Sequence, residues 1–168
     1  NNRSHIEGLL YQHSLELKVS GENSKNPGTE FISGTIEIAT DDKLLNIVPV
    51  HFTYSTATTS TGKSNTSYAI LLNIINGTYS SVMGGGKDTA VKLSIDSNIN
   101  LNEFYSDRTG KEELVSVKRN EGGFVRVVNE LNADEKMRNT FDVDIVITNV
   151  RHVDADDEKK IAEKAIIK

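Results

Sequence analysis

Cysteine is absent from this chain, which excludes disulfides and cysteine-ligated zinc outright and fits a reducing, intracellular compartment. No apolar run approaches the roughly 20 residues that span a bilayer, so no membrane partner is expected. The first eight residues lack the charged-then-apolar layout of a signal peptide. Histidines at 5, 13, 51 and 152 have no metal-ligand spacing, and no nucleophile has a base at a readable distance. We therefore expect neither a cofactor nor catalysis. Aromatic residues make up only 6% of the chain, so each one matters to the argument that follows.

Positive charge is also in short supply, with a net charge of −5. That argues against coating nucleic acid by bulk attraction. The deficit is local, however. Residues 130–158 hold nine acids against three bases, whereas residues 1–129 hold fourteen against twelve. A near-neutral body could still present one basic face.

What the 168 residues do contain is alternation, and enough length for one domain with a proper core. Residues 13–20 place Leu15, Leu17 and Val19 on one face, and residues 21–28 (GENSKNPG) read as a loop. Residues 30–40 alternate through Phe31, Ile36 and Ile38 with Gly34 at a bend, and residues 45–54 form a third run. Pro49, inside that run, is expected at an edge or bulge because it cannot donate to a ladder. A polar loop at 55–67 leads to Tyr68, Leu71, Leu72, Ile75 and Tyr79 at helical spacing, with Ser64 or Thr66 as cap. Strands resume at Val91. Residues 114–118 and 124–128 flank Glu121-Gly122-Gly123 as a bent strand or hairpin, and residues 141–150 form the last strong strand. Residues 154–168 read as a tail or short helix. Three strands, a helix and further strands predict an all-β chain. Its expected form is an OB-like Greek-key β-barrel over 1–153, with the helix between the third and fourth strands and extra C-terminal strands.

Two motifs yield to simpler readings. Residues 83–87 (MGGGK) suggest a phosphate loop, but Ser81 stands where its first glycine is required and Asp88 follows Lys87, so a flexible connection is expected. The acidic cluster at 154–158 lacks the central glycine of a calcium loop. The remaining signal is aromatic residues interleaved with bases on strands, the composition that stacks bases and meets phosphates of single strands. The candidates are Phe31, Phe52, Tyr54 and Tyr105 with Lys92, Lys118, Arg119 and Arg126. Each ring could instead fill the core, and each base could simply be solvated.

Residues 31–40 (FISGTIEIAT) followed by 46–54 (NIVPVHFTY) resemble the paired second and third strands of phage-encoded OB-fold single-stranded-DNA-binding proteins. Asn102-Glu103-Phe104-Tyr105 is similar to a strand end in that family, and residues 114–124 (LVSVKRNEGGF) resemble its next strand and glycine bend. The resemblance implies non-sequence-specific binding of single-stranded DNA in phage or prophage replication or recombination, in the cytoplasm of a bacterial host. It also implies replication or recombination proteins as partners, and homo-oligomerisation stays open. One departure is the ending KAIIK, where such proteins often carry an acidic tail. The rival expectation is a phage structural or assembly protein that uses a β-barrel as an interaction module.

Overall fold

The computed structural model describes residues 2–107, 110, 112–147, 150–153 and 164–167. The chain is mostly β. Its strands are β1 (Asn2–His13), β2 (Glu16–Val19), β3 (Glu30–Ala39), β4 (Ile47–Ser55), β5 (Lys92–Ser106), β6 (Glu113–Val127), β7 (Asn139–Val143), β8 (Val150–Val153) and β9 (Lys164–Ile167). Helix α1 (Thr66–Ile75) and the single turn α2 (Val82–Gly85) lie between β4 and β5.

Five strands close a ring. β1 pairs antiparallel with β3 and with β5, β3 pairs with β4, and β5 pairs with β6. A short parallel contact, Val50↔Asn120 and His51↔Glu121, joins β4 to β6 and completes the circuit. β2 extends the sheet from β3, and β7 lies along the N-terminal half of β1. Among the described residues, β8 and β9 pair only with each other.

Apolar side chains on the inner faces make the core. Ile6, Leu10, Ile32, Ile36, Ile38, Val50, Leu93 and Ile95 are fully buried, and each such side chain contributes about 1.5–3 kcal/mol of transfer free energy. Helix α1 closes one side with Tyr68, Leu71 and Ile74. It sits where β4 and β6 diverge, and there the Ser67 hydroxyl accepts from the Val125 amide at 2.9 Å, replacing a missing ladder bond.

Besides Tyr11, which is left unmatched between Leu10 and Gln12 in the β1–β3 register, two bulges bend the ring. Two residues of β4, Thr53 and Tyr54, oppose the single Ser33 of β3, and Gly122 and Gly123 of β6 oppose the single Ser97 of β5. The first bulge brings Gly34 (φ +131°) against the backbone of Ser14 and Leu15, where a Cβ would collide. The glycine is obligatory there for both reasons.

Several expectations need correction. Four strands precede the helix, not three, because residues 2–13 form a strand paired on both edges. The helix cap is Asn65, whose Oδ1 accepts from Ser67 and Tyr68 amides at 3.1 and 3.4 Å, and not Ser64 or Thr66. The helix ends before Asn76-Gly77 and leaves Tyr79 outside. The MGGGK connection contains the turn α2, capped by the Ser81 hydroxyl. Pro49 is an exposed position of β4, next to the short parallel contact, and its carbonyl accepts from Asn120 at 3.2 Å. The glycine pair lies within one continuous bent strand, β6. The last strand stops at Val143, and β9 occupies part of the expected tail, while 154–163 lie outside the described residues. Among the described residues, no helix is long and apolar enough to cross a membrane.

Candidate nucleic-acid interface

The β4 bulge decides where the aromatic residues point. Strict alternation would put Phe52 and Tyr54 on one face. With the extra residue, Phe52 turns inward and is 5% exposed, while Tyr54 turns outward and is 47% exposed. Phe52 is thus a core residue, which corrects its expected role as a stacking platform. Tyr54 instead packs on Phe31, with ring centroids 4.5 Å apart and planes tilted by 33°, an arrangement worth about 0.5–1.5 kcal/mol beyond burial. Its hydroxyl lies 3.2 Å from that of Ser20. Lys18 stands opposite Phe31 in the β2–β3 register, its ammonium 3.0 Å from Glu16. That ion pair is exposed and so contributes little to stability; a phosphate could replace the carboxylate.

Beside this aromatic pair lies a cavity of about 520 Å³, between the end of β4, the 55–65 loop and the Gly122-Gly123 bend. Hydroxyl and amide groups dominate its lining, including Thr53, Asn65, Asn98 and Asn100. Glu121 is its only charged lining residue among the described residues. The Thr53 hydroxyl donates to Glu121 Oε1, Asn100 Nδ2 donates to Oε2 at 3.2 Å, and Arg119 Nη2 lies 3.3 Å from Oε1. The Thr53 bond first, then those from Asn100 and Arg119, hold this carboxyl below its usual range despite partial burial. Arg119 Nε is shielded and has no partner. His51, opposite Glu121, lies 2.8 Å from the Thr35 hydroxyl. Burial, then Arg119, lower its pKa against the opposing pull of Glu121.

Beyond Asn98 and Asn120, β5 and β6 leave the ring as a two-stranded arm. Register divides its residues between two faces. Asn100↔Arg119, Asn102↔Val117 and Phe104↔Val115 continue the face that carries Glu121. Leu101↔Lys118, Glu103↔Ser116 and Tyr105↔Leu114 line the opposite face. Tyr105, at 67% exposure, and Lys118 therefore point away from Phe31 and Tyr54.

Of the eight residues singled out in the sequence, Phe31, Tyr54 and Arg119 share one surface. Lys92 is elsewhere: its Nζ donates to the Asn129 carbonyl at 3.0 Å beside a second cavity lined by Asp42, Lys87 and Arg138. It lies roughly 20 Å from Asn98 along β5. Arg126 lies 2.5 Å from Asp96 and 5.3 Å above the Phe124 ring, on the surface of β5 and β6 that faces β1. Asp96 also meets His5 Nδ1 at 2.8 Å, and that bond is the chief reason its pKa is lowered. Glu121 and Thr53 line the cavity but were not singled out, and Phe104 lies farther along the same face of the arm. The alternation between Arg119 and Glu121 was a usable signal for the carboxylate. The bulge that turns Thr53 and Tyr54 was not readable. Among the described residues, no three His, Asp or Glu side chains are grouped to hold a metal ion.

No curated protein and no solved structure matches the chain. A family model does match, over residues 1–168, and the chain belongs to that family, YorF.

Proposed function

We propose that this member of the YorF family binds single-stranded DNA without reading a defined sequence, on the outer face of β3 and β4 and the adjoining face of the arm. The observation that carries the reading is the pair formed by the exposed Tyr54 and the half-buried Phe31 beside Lys18, at the edge of an open groove. Paired rings of this kind stack bases regardless of identity. On this reading the five-strand ring, with its helix between the third and fourth ring strands, is an OB-type barrel, and the arm is the long loop such barrels use against a ligand. Lys18 and Arg119 supply phosphate contacts at the groove rim. The protein acts by coating strands in phage or prophage replication or recombination, in the cytoplasm of the host. It performs no catalysis, and other replication proteins are its partners.

Fluorescence titration with labelled oligo-dT at several salt concentrations tests this. Binding at low salt is expected, with log affinity falling about 0.7 per phosphate met for each tenfold rise in salt. Absence of binding at low salt, or affinity flat against salt, would sink it.

A second reading, an assembly module of a phage particle, is favoured by one observation. Phe141 within β7 and Ile145, Val146 and Ile147 just after it are all exposed, and apolar stretches of that kind mark contact surfaces. Self-association in sedimentation experiments without any oligonucleotide binding would support it.

A further inference from the structure

The groove holds a contradiction for a DNA-binding surface: among the described residues, the one charged group on its cavity lining is a carboxylate. A phosphate placed there meets a like charge. The cavity is nevertheless of the size that takes a small polar ligand, and its hydroxyl and amide groups suit a base edge. Tyr54 belongs both to the aromatic pair and to the cavity wall. A base stacked on Tyr54 would share this cavity with Glu121.

We infer that this cavity is a base subsite that prefers an exocyclic amino group, and so favours cytosine over thymine. The inference rests on the single-strand reading above and adds a preference at one position of an otherwise indifferent coat. Glu121 sets it by counting. A carboxylate accepts about four hydrogen bonds. Thr53 and Arg119 occupy Oε1, and Asn100 alone occupies Oε2. One acceptor position is left, enough for a single N–H. The amino group of cytosine supplies it, as carboxylates are known to accept from that group. Thymine offers only an imino N–H flanked by two carbonyl oxygens, which the carboxylate repels.

The test is a titration with oligo-dC and oligo-dT of equal length at one low salt concentration. Wild-type protein is expected to bind oligo-dC about tenfold more tightly, the size of one hydrogen bond to a charged group. In Glu121→Gln the ratio is expected to fall to about one, because the amide no longer repels carbonyl oxygens. Glu121 lies at the ring closure, so a probe that leaves the protein intact is needed as well. An oligonucleotide of N4,N4-dimethylcytosine keeps the stacking ring but has no amino hydrogen, and it should bind wild-type protein no better than oligo-dT. Equal affinities for oligo-dC and oligo-dT would overturn the subsite while the coating function stands. So would an oligo-dC advantage that survives dimethylation or the Gln substitution. Failure to bind any of the oligonucleotides would overturn both.

Discussion

The same two strands, β5 and β6, live in two different environments. Inside the ring, Leu93, Ile95 and Val125 are at most 1% exposed, and each strand has a second neighbour, β1 for β5 and β4 for β6. In the arm, Leu101 and Leu114 are each 55% exposed, and among the described residues the strands pair only with each other. A two-stranded ribbon is marginal alone in water. The ring is thus a scaffold whose stability comes from its own core, and the arm is an appendage that depends on what covers it. On the proposed single-strand reading, this separates a platform on the ring, Phe31 and Tyr54, from a flap that the arm supplies.

The largest effect that tests this contrast is on stability. Leu93→Ala, at a fully buried ring position, is expected to cost about 2–5 kcal/mol in urea unfolding. Leu101→Ala, on the same strand in the arm, should stay within about 0.5 kcal/mol. Comparable losses would mean that the arm is part of the cooperative core after all.

Next comes binding. Tyr54→Ala should weaken oligonucleotide affinity by about 1–3 kcal/mol, the worth of one stacked base. Tyr105→Ala removes a more exposed ring from the far face of the arm, and its affinity should stay close to wild type. Equal losses at the two positions would show a strand that wraps both faces of the arm, and the division by register would then fail as a guide to the interface.

How much of this was legible in the sequence depended on whether apolar alternation survived. It did in β3, where Ile32, Ile36 and Ile38 all point inward, and in α1. It did not in β1, where Ser4 and Gly8 take inward turns alongside Ile6 and Leu10. Gly8 is there because the Ala39 carbonyl leaves no room for a side chain. A central strand was therefore missed. The opposite error came after β7. Residues 141–147 alternate well, but the ladder of β7 with β1 runs only from Ile6↔Asn139 to Asn2↔Val143 among the described residues. Phe31 and Tyr54 were singled out because rings on strands are conspicuous, and the structure packs them together. Phe52 was misplaced because a bulge reverses parity without any mark in composition. Tyr105 and Lys118 were grouped with Arg119 because sequence proximity does not reveal which side of a ribbon a residue occupies.

The smallest expected effect is on pH dependence, and it too separates ring from arm. Asp42, Asp96 and Glu121, with lowered pKa values, lie on the ring or its connecting loops. So do His13 and His51, lowered chiefly by burial. A carboxyl whose folded pKa lies below its unfolded value is ionised more readily in the folded state. Its contribution is complete above the unfolded value, 3.8 for Asp96, and is lost as pH falls through the folded one. A histidine held neutral acts higher: stability falls as pH drops below 6.5, because the unfolded chain takes up the proton first. Thermal melts should therefore decline gently from pH 6.5 and more steeply below about pH 4. Asp96→Asn should flatten the lower limb and His51→Gln the upper one. Because these groups sit at the ring, the decline should appear in the main cooperative transition. If acid instead released the arm first, with the ring transition unmoved, the arm would have to be held by ionised groups of its own, and its dependence on a covering partner would be disproved.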